Sequence, residues 1–129
     1  MKQLVTAMVA VLPFFGFTQQ RSIMEAKEVC IEMVTFKKKL EYNVEETKAA
    51  MEKSNVFVEK YNGFIKRIIS VNEEGLFLDI VYWESKEHAI NAAQKLQQNE
   101  EFMKNFEVID FSTVQMKHFD VFATFAKDE

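Results

Sequence analysis

The segment Leu76–Trp83 limits the folds open to this chain more than any other. Leu76, Leu78, Ile80 and Tyr82 alternate with Phe77, Asp79, Val81 and Trp83, and Asp79 is the single charged residue among them. Read with the two-residue period of a strand, both faces are apolar, so both must be covered. Ser85 follows at once, placed to N-cap a helix, with Glu87 at the positive end of its dipole. The chain therefore has to supply a helical layer for one face of its sheet and something else for the other.

The sequence has 129 residues, which is one domain with room for a real core. Thirteen Phe against one Pro and three Gly imply short loops and a core or interface filled by aromatic volume. The formal net charge is −4 with the two signs interspersed. No basic patch alternates with aromatics, which argues against nucleic acid or an anionic membrane surface as partner.

Met1-Lys2-Gln3, the apolar run Leu4 to Phe15 and the small residues around Gly16-Phe17-Thr18 have the layout of a cleavable secretory signal. The expected organisation is a signal over 1–18, a lead-in over 19–27, an α+β domain over 28–122 and a tail over 123–129. The mature protein is expected to be periplasmic or secreted, free of the membrane once the signal is removed. Cys30, the lone cysteine, lies between Val29 and Ile31 and reads as a small buried hydrophobe. One cysteine allows no internal disulfide.

Four strands and two helices follow in order. Residues 28–37 alternate Val29, Ile31, Met33 and Thr35 against Cys30, Glu32, Val34 and Phe36. Asn43 is placed to cap a helix in which Thr47, Ala50, Met51, Ser54, Phe57, Val58 and Tyr61 recur at helical spacing, and Asn62-Gly63 closes it. Residues 64–71 form a strand joined through Asn72–Gly75 to Leu76–Trp83. A helix from Ser85 to about Gln98 buries Ala89, Ala92, Ala93 and Leu96, a short turn over 100–106 presents Phe102, Met103 and Phe106, and a last strand runs over 113–122. The order βαββαβ predicts a ferredoxin-like four-stranded antiparallel sheet with both helices on one face. The second face then calls for a second copy of the sheet, giving a dimeric α/β barrel.

Few residues offer chemistry. His118 lies in an apolar strand and could shuttle a proton. Asp79, inside a doubly covered strand, demands a partner, with Arg67 as the structural candidate and His118 as the functional one. Glu32 poses the same question, with Lys117 as a candidate partner. His118 and Asp79 are thus the candidate catalytic pair, and Trp83, Tyr82 and Tyr61 the candidate contacts for a planar ligand, against the alternative that all five serve packing. Two histidines and one cysteine do not make a tetrahedral metal site.

Asp79-Ile-Val-Tyr-Trp-Glu-Ser-Lys-Glu-His-Ala, then Phe102 to Phe106 and Ser-Thr-Val-Gln-Met-Lys-His-Phe119, resembles the dimeric α/β-barrel superfamily and within it the antibiotic-biosynthesis-monooxygenase-like domains. The likeness covers about residues 28–122, and Trp83-Glu84-Ser85 is its most specific piece. It implies a homodimer joined through the sheet face, with a pocket for a small apolar or aromatic ligand between sheet and helices. Cofactor-independent oxidation of an aromatic or quinol-like molecule is the implied activity; the alternative is a non-catalytic dimeric binding or scaffold domain. Haem-degrading members carry a histidine and a tryptophan in the region corresponding to Ala92–Phe106, which has neither here. No cofactor is implied.

Overall fold

A computed structural model describes residues 29–128. The expected signal over 1–18 and lead-in over 19–27 lie outside the described residues. Of the described residues, 29–120 belong to one compact unit. Among the described residues no helix is long and apolar enough to cross a membrane.

The elements are β1 (Cys30–Lys38), α1 (Val44–Val58), β2 (Phe64–Val71), β3 (Leu76–Trp83), α2 (Lys86–Gln97), α3 (Glu100–Lys104), a 3-10 turn (Asn105–Val108) and β4 (Ile109–Asp120). They form the expected ferredoxin-like α+β fold, an antiparallel sheet in the order β2-β3-β1-β4. Each helix begins where its side-chain chemistry dictates. Asn43 Oδ1 accepts from Glu46 N at 2.7 Å while Glu46 Oε1 accepts from Asn43 N at 2.9 Å, a complete capping box. Ser85 Oγ accepts from His88 N at 3.1 Å, and Asn99 Oδ1 from Phe102 N at 3.0 Å. Helix α1 ends at Val58, earlier than the Asn62-Gly63 stop read from the sequence, and a turn carries the chain to Gly63 at φ +87°.

The fourth strand begins four residues before its expected start. Ile109 stands opposite Lys38 and Asp110 opposite Lys37, so the segment read as a lead-in is already paired. The register then shifts between Thr35 and Lys37 of β1, and Thr113 Oγ1 accepts from the Lys37 amide at 2.9 Å across the irregularity. A bulge breaks the period-2 pattern that marks a strand, which is why the pattern began to show only at Thr113.

One face of the sheet carries Cys30, Glu32, Val34 and Phe36 on β1 against Phe77, Asp79, Val81 and Trp83 on β3. The helices cover it with Met51, Val58, Ala89, Ala92, Leu96 and Phe102, all buried. The core forms two groups, one around Trp83 beneath α2 and one around the stacked rings of Phe36 and Phe77, 5.1 Å apart. The opposite face carries Ile31, Met33, Leu78, Ile80, Ile68 and Phe119, with Ile68 and Phe119 nearly half exposed.

Candidate functional site

Beneath the helices the sheet leaves a cavity of about 270 Å³. Its wall is apolar and aromatic, including Phe36, Met51, Val81, Leu96, Phe102 and Phe106. Phe111 (55% exposed) and Met116 (47%) line the cavity from β4, so it opens on that side.

Four polar side chains interrupt this wall: Glu32, Arg67, Asp79 and Gln97. Asp79 is held by Arg67, Nε to Oδ1 at 3.0 Å and Nη2 to Oδ2 at 2.7 Å. The remaining arm, Nη1, donates to Ser54 Oγ at 3.0 Å and reaches Asn55 Oδ1 at 3.4 Å, tying β2 to α1. Of the two partners considered for Asp79, the structure supplies Arg67, because Arg67 and Asp79 lie on the same face of adjacent strands.

Glu32 is paired with His118, Nε2 to Oε2 at 3.0 Å, and not with Lys117. Lys117 stands opposite Met33 and so belongs to the other face, whereas His118 is directly across from Glu32. Burial pushes the Glu32 carboxyl above its usual range, opposed by the His118 hydrogen bond and charge and by the nearby Trp83 indole. That indole N–H favours the ionised carboxylate by proximity but forms no hydrogen bond of acceptable geometry, which leaves Trp83 Nε1 buried and unpartnered. The ring is fixed edge-on to Phe64, with centroids 5.9 Å apart.

Of the five residues singled out in the sequence, Asp79 and Trp83 line the cavity and His118 stands behind Glu32 at its β4 edge. Tyr82 does not line the cavity. It alternates to the opposite face, where Lys66 Nζ sits 4.6 Å from its ring. Tyr61 packs at the rim of the Trp83 group and lines a separate polar depression with Lys60, His88 and Lys95. Glu32 lines the cavity beside Asp79, and its alternation with Cys30 and Val34 is the signal in the sequence that places it on this face. Among the described residues no three His, Cys, Asp or Glu side chains are grouped to hold a metal ion.

No family model matches the sequence, and no curated protein matches it. Solved structures do match. SnoaB, a cofactor-independent oxygenase from Streptomyces nogalater seen as a point variant, superposes with a TM-score of 0.61 at 11% identity, covering 78% of this chain and 99% of that one. A candidate antibiotic biosynthesis monooxygenase from Bordetella bronchiseptica gives 0.62 at 12%, over 72% and 96% of the two chains. The chain shares its ferredoxin-like fold with these structures. A dimeric ferredoxin-like protein from an uncultured marine organism gives 0.54 at 11%, over 80% and 96%. At these identities the likeness is one of fold, and activity has to be argued from the cavity.

Proposed function

We propose that this protein is an exported homodimer in which each subunit binds a small aromatic or quinol-like molecule under its helices and oxidises it with molecular oxygen, without a bound cofactor. In such a reaction the substrate supplies all the electrons. A ring CH₂ becomes C=O, the second oxygen atom leaves as water, and both hydrogens of that water come from the substrate. The observation that carries the reading is the apolar, aromatic-walled cavity with an unpartnered indole N–H buried in its wall. A guest oxygen would satisfy Trp83 Nε1 while its rings fill the apolar space. The titratable groups that such a guest would meet at the wall are Asp79, held by Arg67, and Glu32, held by His118. SnoaB, by description a cofactor-independent oxygenase, shares the fold and supports this choice of chemistry.

The homodimer is supported by the opposite sheet face. A second copy laid on Ile31, Met33, Ile68, Leu78, Ile80 and Phe119 would remove that apolar surface from water. Export is supported by the layout of residues 1–18 alone.

The competing reading is a dimeric binding module without turnover. What favours it is that Arg67 occupies both oxygens of Asp79, leaving that carboxylate bound into the structure. Oxygen uptake separates the two. The protein purified from an exporting host is expected to lose its first 18 or so residues, to run as a dimer in native mass spectrometry, and to consume oxygen with a polycyclic phenol or quinol. A dimer that binds such compounds but consumes no oxygen establishes the binding module instead.

A further inference from the structure

We infer that Glu32 is the group that takes the hydroxyl proton of a guest in this cavity, and that His118 is the positioning residue that holds its carboxylate. The inference rests on the cavity being the binding site, as proposed above, and decides which of its carboxylates acts.

The two carboxylates in the wall are not equivalent. Asp79 accepts two charge-assisted hydrogen bonds from Arg67, one on each oxygen, and that guanidinium is anchored by Ser54 and Asn55. Glu32 accepts from His118 through Oε2 alone, and its Oε1 makes no hydrogen bond among the described residues. Glu32 lines the cavity and His118 does not. The unpartnered donor Trp83 Nε1 lies in the same wall, near the Glu32 carboxylate. A guest with a hydroxyl beside an acceptor oxygen would donate to Glu32 Oε1 and accept from Trp83. In the proton step the guest O–H bond breaks, the proton forms a new O–H bond on Oε1, and the electron pair stays on the guest oxygen as a phenolate or enolate. Burial supports the role, because a desolvated carboxylate is a stronger base than one in water.

The charged or titratable groups around Glu32 are the Cys30 thiol on β1, His118 on β4, Asp79 on β3 and Arg67 on β2; the helices add no charged side chain to the cavity wall. Arg67 and Asp79 offset one another. The field on a guest hydroxyl is therefore set mainly by Glu32 and His118.

The probe is 4-nitrophenol, whose phenol and phenolate forms absorb differently and interchange near neutral pH. Its binding is read by quenching of Trp83, the protein's single tryptophan, and its ionisation by absorbance at saturation. A carboxylate accepts from O–H and repels O⁻, so the bound probe should ionise at higher pH than the free probe in the unsubstituted protein. In Glu32→Gln that upward shift should shrink to what the apolar wall alone imposes, raising relative affinity for the phenolate about tenfold, while affinity for the neutral phenol stays within about twofold. Turnover of any accepted phenol should fall about 10²–10⁴-fold. Removing the neighbouring pair together, Arg67→Met with Asp79→Leu, takes away no net charge and should leave the shift in place. His118→Ala removes the hydrogen bond that holds the Glu32 carboxylate and should reduce both the shift and the turnover; it serves as the test if Glu32→Gln does not fold by circular dichroism. A shift undiminished in Glu32→Gln, or unchanged in His118→Ala, overturns the assignment and leaves the binding site standing. Absence of quenching in the unsubstituted protein overturns the binding site, and this assignment with it.

Discussion

Arg67 and Asp79 meet through two hydrogen bonds of 3.0 and 2.7 Å, with side chains only 4% and 12% exposed. Pairing of this kind offsets the desolvation of both charges, and losing either partner strands the other. Arg67→Met or Asp79→Leu alone is expected to destabilise the protein by about 3–5 kcal/mol, read as a lowered urea midpoint. The double substitution should recover most of that loss, since no uncompensated charge remains. Equal losses in the single and double variants would show that the pair contributes through its contacts to Ser54 and Asn55 instead.

Ile80 stands at the middle of β3, opposite Met33 on one side and Ile68 on the other, on the face without helices. Ile80→Lys would place an unpaired charge at the centre of the proposed dimer surface. The expected result is a monomer by native mass spectrometry with the far-UV circular dichroism unchanged. A dimer that persists would locate the interface elsewhere.

Glu32 also makes stability depend on pH. Burial raises its folded-state carboxyl, more than the His118 hydrogen bond and charge and the Trp83 indole lower it. The folded state therefore holds this proton at a pH where the unfolded chain has released it. Stability should fall as pH rises from the ordinary carboxylate range through the raised value, then level off. Glu32→Gln should flatten that slope in a series of thermal melts at different pH. Asp110, lowered by its hydrogen bonds to Ser112, acts with opposite sign and in a more acidic window, so the two can be told apart.

Gly63 takes φ +87° directly under the His88 ring, where an added Cβ would collide with the ring carbons. His88 cannot yield freely, because its Nδ1 is 2.7 Å from the Ser85 Oγ that caps α2. Gly63→Ala should cost at least about 1–2 kcal/mol from backbone conformation alone, and more from the collision. The urea midpoint measures it, and a change smaller than that would mean the turn re-forms.

Cys30 is buried, and desolvation followed by the charges of Asp120 and Glu32 pushes its thiol up. A thiol-specific reagent at mildly alkaline pH should label it only after denaturant is added. Labelling of the folded protein at the rate of a free thiol would contradict its place in the sheet.

Much of this fold was legible in the sequence because its signals are local. The Asn43 cap, the Ser85 cap and the alternation in Leu76–Trp83 each report on residues within one turn or one strand, and each element formed where its signal lay. The assignment of Asp79 and Trp83 to one face needed only the two-residue period, and the same period put Tyr82 on the other.

The sequence by itself determined which residues share a face, where the helices start, and that the sheet has a second apolar face requiring cover. The tertiary structure decided which residues meet across strands. Glu32 and His118 are 86 residues apart, and a slip of one residue would put Lys117 opposite Glu32 instead. Their pairing is set by the register of β4 on β1, which passes through the irregularity between Thr35 and Lys37. No local pattern encodes that register. It is fixed by the sum of burial along both strands, because a one-residue slip would turn the whole apolar set of β4 to the opposite face.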